Sequence, residues 1–195
     1  MKAAVLTKKG KGQDVFKIQE LDKPSIAEGE ALIKVEAFGL NFADVMARNG
    51  LYRAAPPIPS VLGYEVVGTI EEINGEHEFK VGDRVLAFTR FGGYSKKVTT
   101  KASAIAVIDD LDAATALTLC TQSVTAYYMA NYVAPIHKNE TVLIHAAAGG
   151  VGSILIQLAK EKGAIVIAKI GNESKRGLVK QLGADYIINY NQSYY

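Results

Sequence analysis

Val142-Leu143-Ile144-His145-Ala146-Ala147-Ala148-Gly149-Gly150-Val151-Gly152-Ser153 is the stretch that decides the fold. It reads as a buried apolar strand over Thr141–His145, a glycine-rich turn, and a helix over Gly152–Lys162. At such a junction glycines let the backbone turn sharply, let an anion approach main-chain N–H groups, and let helix and strand pack closely. Against the generic G-x-G-x-x-G pattern the match is imperfect, because Ala147 stands where the first glycine would be. A glycine motif alone is weak evidence, since a turn that merely joins strand to helix has the same composition. The surroundings add to it: an apolar strand over Ala164–Ile170, a helix over Ser174–Leu182 and a strand over Tyr186–Asn189 follow. Strand, helix, strand, helix, strand predicts parallel β-α-β units with right-handed crossovers. A doubly wound sheet needs a second set of such units, so the sequence predicts its first half.

The end of the second strand separates the two nicotinamide cofactors. An NAD site places an acid there for the ribose 2′-hydroxyl, whereas a 2′-phosphate needs a cation and no acid. Here Lys169-Ile170-Gly171-Asn172-Glu173-Ser174-Lys175-Arg176 offers no acid at Ile170-Gly171, and Lys175 and Arg176 follow within one turn. Glu173 reads as a charge at a helix start, favourable to the helix dipole. The two cations also suit an ordinary solvated helix face, but the balance favours NADPH.

Upstream of the turn the rhythm differs. Short alternating apolar runs over Ala3–Leu6, Phe16–Ile18, Ala31–Ala37, Val66–Ile73, Arg84–Phe88 and Lys97–Thr99 predict a compact β-rich domain. Ala43–Gly50 has helical spacing after Asn41, and Pro56-Pro57-Ile58-Pro59 predicts an extended connection. From Ala113 alanine-rich helical spacing takes over at Ala113–Leu119, with Asp112 placed as N-cap, and at Val124–Val133. Two domains follow, residues 1–124 and 125–195. The net charge of +2, from 22 basic and 20 acidic residues among 195, gives no reason to expect nucleic acid or an anionic membrane as partner. A single cysteine, Cys120, excludes an internal disulfide and a multi-cysteine zinc knot. The start, Met1 to Lys9, has too short an apolar run for a signal peptide or membrane span, and a cytoplasmic protein is expected.

Several motifs occur in an order and spacing that resemble one family. Gly39-Leu40-Asn41-Phe42-Ala43-Asp44, Gly63-Tyr64-Glu65, Gly82-Asp83-Arg84-Val85, Thr125-Ala126-Tyr127-Tyr128 and Ala146 to Gly152 are similar to the zinc-free quinone oxidoreductase (zeta-crystallin) branch of the medium-chain dehydrogenase/reductase superfamily. Asn49-Gly50-Leu51-Tyr52 through Phe91-Gly92-Gly93-Tyr94 looks especially like the synaptic vesicle membrane protein VAT-1 homologue group. The resemblance implies an α/β architecture, a GroES-like β-rich catalytic domain followed by the first half of a Rossmann sheet. It also implies hydride transfer from NADPH to a quinone or activated enone. Zinc relatives hold their metal at the places of Asn41, Tyr64 and Thr121, which are not a plausible ligand set, and the four-cysteine lobe is absent. No metal is expected, and His77, His137 and His145 read as structural or solvated.

By the same resemblance Asn41 and Thr125 flank the nicotinamide, and Tyr52 lines the substrate cleft and can donate to a quinone oxygen. Backbone groups of Ala148, Gly149, Gly150, Val151 and Gly152 meet the pyrophosphate, Lys175 meets the 2′-phosphate, and Asn172 and Tyr190 lie beside the adenosine. Where many relatives carry another tyrosine, Met46 stands, which leaves the proton source open. Plainer roles compete: Asn41 as helix cap, Tyr52 as packing, Thr125 bonded to its own helix. Relatives continue past a half-sheet, so the chain is expected to be a fragment of a protein that is homo-oligomeric at full length. A non-catalytic, NADPH-binding structural or membrane-associated protein is the alternative function.

Overall fold

Alternation of apolar and polar side chains builds the first part of the molecule. Strand β1 (Lys2–Leu6) pairs antiparallel with β2 (Phe16–Glu20) and with a short β4 (Ser60–Val61). A second, five-stranded antiparallel sheet runs β7-β3-β5-β6-β8, formed by β3 (Glu30–Phe38), β5 (Glu65–Ile73), β6 (Arg84–Phe88), β7 (Lys97–Lys101) and β8 (Ile105–Val107). Its inward positions, among them Ala31, Ile33, Val66, Ile70, Val85 and Ala87, form one core. Leu6, Val15, Ala47, Leu62 and Tyr94 form another, under the first sheet. β4 and β8 were not expected from the sequence, being two and three residues long, too short to show a period.

This computed structural model describes residues 1–192 and resolves into two compact units, Met1–Thr121 and Gln122–Tyr195. Helix α1 (Phe42–Arg48) starts after Asn41, whose main-chain N–H donates to the Asp44 carboxylate at 3.0 Å. Helix α2 (Ala113–Leu119) is capped as expected: the Asp112 carboxylate accepts the Thr115 N–H at 2.9 Å. Cys120 leaves helical geometry (φ −80°, ψ −109°), so the next helix, α3 (Thr121–Tyr128), starts earlier than the expected Val124. The remainder of that expected helix, Met129–Val133, is wound as a π-helix.

The second unit is a parallel sheet ordered β11-β10-β9, made of β9 (Thr141–Ile144), β10 (Ile165–Ile170) and β11 (Tyr186–Asn189). Helix α4 (Gly150–Glu161) crosses from β9 to β10 and α5 (Arg176–Gln181) from β10 to β11. Ile144, Ile156, Ala159, Val166, Ala168, Ile170 and Val179 close the core between them. Two expectations are corrected. β9 lies at the edge that half of a doubly wound sheet leaves unpaired, so it is not buried: Thr141 is exposed and Leu143 is 50% exposed, and His145 lies beyond its end, also exposed. The helix expected from Ser174 opens instead as a 3₁₀ turn, Glu173–Lys175, because the Asn172 side chain accepts the Ser174 N–H and its carbonyl accepts that of Lys175. Among the described residues no helix is long and apolar enough to cross a membrane.

Candidate functional site

In the second unit the turn between β9 and α4 is built without a left-handed glycine. Ala146 takes the positive φ (+48°), Ala147 donates its N–H to the Lys169 carbonyl at 3.1 Å, and Gly149 donates to the Ala146 carbonyl at 2.8 Å. The sharp turn attributed to glycine therefore belongs to Ala146. What the glycines supply is space. A Cβ at Gly152 would sit 2.4 Å from the Ala146 carbonyl oxygen, and one at Gly150 would sit 2.1 Å from Gln122 Oε1. The N-cap of α4 is Gly149, with no side-chain cap, and the first helical bond is Ser153 N–H to Gly149 carbonyl. The N–H groups of Gly150, Val151 and Gly152 thus lie in the first turn, where a helix has no acceptors of its own. Together with the helix dipole this suits a bound anion.

A cleft of about 610 Å³ opens beside the turn. Of the eight expected cofactor residues it is lined by Ala148, Gly149, Asn172, Lys175 and Tyr190, while Gly150, Val151 and Gly152 are not among its lining residues. Among the described residues no carboxylate lines it. Glu173 is turned to other partners: it pairs with Arg176 and accepts the Asn189 amide at 3.0 Å, and these bonds, Arg176 first, hold its carboxyl below the usual range. Of the two cations noted in sequence, Arg176 is engaged in that pair and Lys175 lines the cleft. Tyr190, 51% exposed, lies across Gly171, where a Cβ would come 2.2 Å from the tyrosine oxygen. The cleft fits an anionic nucleotide: an uncapped helix start, a cation, a ring for stacking and no competing acid.

Two polar side chains on the lining lie outside the expected cofactor set. His145 is one. Lys169 is the other, its ammonium 5.5 Å from the centroid of the Tyr190 ring. The signal was available, since Lys169 interrupts the otherwise apolar run Ile165 to Ile170. Thr125 is exposed on α3, one turn beyond Gln122, and does not line this cleft.

In the first unit the organising group is Glu65, fully buried at the start of β5. Its Oε1 accepts the Asn41 side-chain amide at 2.9 Å, and its Oε2 accepts the Thr121 main-chain N–H at 2.7 Å. Because a carboxylate only accepts, this contact orients Asn41 with its NH₂ inward and its carbonyl oxygen away from Glu65. Gly39 makes room, since a Cβ there would lie 2.1 Å from Glu65 Oε1. Burial foremost, then the Glu65 charge, pushes the Cys120 thiol up to about 12, so it is an inert thiol at neutral pH. Asn41 and Thr121, at two of the places where zinc relatives hold metal, are thus tied to a carboxylate. Among the described residues no group of three or more His, Cys, Asp or Glu is placed to hold a metal ion.

Next to this lies an aromatic cluster. Tyr52 meets Tyr64 edge-on at 6.3 Å, and Tyr64 contacts Phe91 at 5.1 Å and Phe88 at 6.1 Å. Tyr64 is 7% exposed, and its hydroxyl has no hydrogen-bond partner; the Tyr52 phenol affects it electrostatically without bonding geometry. Burial raises the Tyr64 phenol far above its ordinary value. Asp44, also buried, accepts the N–H of Gly63 at 3.2 Å, and burial raises its carboxyl above the usual aspartate value. Asn41 and Tyr52 are therefore joined through the neighbouring residues Glu65 and Tyr64. Glu65, a charge opening an apolar strand, is the residue that sequence reading left without a role.

Two family models match the chain: the alcohol dehydrogenase GroES-like domain over residues 27–110, and the zinc-binding dehydrogenase model over residues 150–195. A synaptic vesicle membrane protein VAT-1 homolog from Danio rerio is 35% identical over 97% of this chain and 40% of its own length. A 2-haloacrylate reductase from a Burkholderia species is 34% identical over 96% of the chain and 58% of its own. Among solved structures, Escherichia coli quinone oxidoreductase complexed with NADPH superposes with a TM-score of 0.91 at 32% identity, covering 100% of this chain and 60% of that one. The chain spans about half the length of the curated relatives it matches. By these matches and by its two-part α/β architecture, the chain belongs to the quinone-oxidoreductase branch of the medium-chain dehydrogenase/reductase superfamily, related to the VAT-1 proteins.

Proposed function

We propose that this chain is part of an NADPH-dependent oxidoreductase that reduces a quinone or an activated enone without zinc, with residues 1–124 as its catalytic domain and 125–195 as its nucleotide-binding domain. The observation that carries the reading is the cleft of the second unit, with Lys175 on its wall, Glu173 turned to Arg176 and no carboxylate facing in. A 2′-phosphate is accommodated there, whereas the ribose hydroxyl of NADH finds no acid to bond. NADPH, when bound, supplies the hydride. The N–H groups of Gly150, Val151 and Gly152 hold the pyrophosphate, with Ala148 and Gly149 beside them. Asn172 and Tyr190 border the adenosine.

On the catalytic side, Asn41 presents its carbonyl oxygen because Glu65 holds the amide, which suits it to receive a bond from the nicotinamide carboxamide. Thr125 takes the same cofactor ring, and Tyr52 donates to the oxygen of the acceptor. With no Lewis acid to polarise a simple ketone, the acceptor has to be electron-poor already, as a quinone or enone is. The names of the relatives, a 2-haloacrylate reductase and a quinone oxidoreductase, point to such acceptors. A homo-oligomeric whole protein in a cytoplasmic setting is part of the same proposal. The kinship with VAT-1 homologues keeps a second reading, a cofactor-binding protein without turnover. NADPH consumption by the whole protein with a panel of quinones and enones decides between them: saturable turnover supports the reductase, and cofactor binding without turnover supports the second.

A further inference from the structure

We infer that Lys169 is a second cation for the 2′-phosphate of NADPH, acting with Lys175 in the one cleft that both line; this rests on the NADPH reading above. Along β10 the side chains of Val166, Ala168 and Ile170 are buried in the core, so the alternation of the strand sends Lys169 to the other face. Its carbonyl is the acceptor for Ala147 N–H, which fixes its main chain against the anion-binding turn. Its ammonium reaches 5.5 Å from the centroid of Tyr190, the residue that lies across Gly171 at the end of the strand. Lys169, Lys175, Asn172 and Tyr190 all line one cleft.

Charge balance gives the reason for two lysines. A phosphate monoester carries about −1.5 to −2 at pH 7, so a single ammonium leaves much of it uncompensated. Arg176 is not available, being paired with Glu173. Among the described residues neither Lys169 nor Lys175 forms a salt bridge, and no acid lines the cleft, so neither charge is neutralised by a carboxylate. Lys169 therefore raises affinity for NADPH and gives NADH no matching gain, which makes it a specificity-determining residue. The competing role is contact with the pyrophosphate at the start of α4, which both cofactors share.

Titrating the 195-residue chain and its Lys169→Met, Lys169→Arg and Lys175→Met variants with NADPH, NADH and adenosine 2′,5′-bisphosphate tests this. Methionine keeps the stem of the side chain and removes its charge. Lys169→Met is expected to weaken NADPH and the bisphosphate roughly ten-fold, to leave NADH within about two-fold, and to be rescued by Lys169→Arg. Equal weakening of NADPH and NADH would assign Lys169 to the pyrophosphate and overturn the inference. An unchanged NADPH affinity would overturn it too, while leaving the cofactor reading intact if the parent chain still prefers NADPH. A parent chain with no preference for NADPH would remove both.

Discussion

Replacing Glu65 with alanine takes away the acceptor of two hydrogen bonds at once, the Asn41 side-chain amide at 2.9 Å and the Thr121 main-chain N–H at 2.7 Å. Both donors are then left in a region where Glu65 itself is 0% exposed. Bonds to a charged group contribute about 1.5–3 kcal/mol each, and water entering the vacated space recovers part of the loss. We expect Glu65→Ala to destabilise the first unit by about 3–5 kcal/mol, a large fraction of the stability of a domain. Glu65→Gln should cost less, about 1–2 kcal/mol. Its carbonyl can still accept from Thr121, and Asn41 can rotate its amide by half a turn to accept from the new NH₂ group. That rotation reverses the face of Asn41 offered to the cofactor, so the milder variant should still lose activity in the whole protein. Urea unfolding followed by far-ultraviolet circular dichroism, with hydrogen exchange at the Thr121 amide, measures both effects. A Glu65→Ala variant within about 1 kcal/mol of the parent, with Thr121 still protected, would refute the view that this carboxylate organises the site.

Tyr64→Phe tests the opposite situation, because it removes a buried hydroxyl with no hydrogen-bond partner; stability should be unchanged or higher by up to about 1 kcal/mol in the same unfolding assay, and a clear loss would mean the hydroxyl is bonded after all. The Asp185 carboxylate accepts from Lys160 at 2.8 Å and from Val166 N–H at 2.7 Å, and these bonds, Lys160 first, hold it below its ordinary 3.8. An acid lowered on folding stabilises the fold above its ordinary value and loses that contribution as pH falls through the folded value. Asp185→Asn should therefore cost about 1 kcal/mol at neutral pH, since the pair is one-third exposed (33%/35%), and nothing once the parent carboxyl is protonated; a cost that does not change with pH would contradict the ionic account.

Much of the second unit was legible because its signals are local. The strand Tyr186–Asn189 was found at the residues expected, as was the Asp112 cap in the first unit, and the β-α-β order follows from apolar runs of strand and helix length. The apolar run of β9 shows that the strand can be covered, not what covers it; its exposure follows from the half-sheet, in which β10 is the strand it pairs with among the described residues. The turn was misread in a different way: a glycine in sequence suggests backbone freedom, yet Gly150 and Gly152 are needed for close approach while Ala146 carries the left-handed φ. Glu65 escaped notice for a third reason. Its partners, Asn41 and Thr121, lie 24 and 56 residues away, and no local pattern links a carboxylate to such distant donors. Glu173 and Arg176 are the reverse case, since they are only three residues apart: read singly as a dipole charge and a solvated face, they form an ion pair that leaves Lys175 as the cation of its turn lining the cleft.

The most direct test of the account is a parallel equilibrium titration of the 195-residue chain with NADPH and with NADH at one low ionic strength and again with added salt. A cleft lined by lysine and free of carboxylates predicts that NADPH binds at least roughly ten-fold more tightly and that the gap narrows as salt screens the phosphate. Equal affinity for the two cofactors, or a preference for NADH, would contradict it.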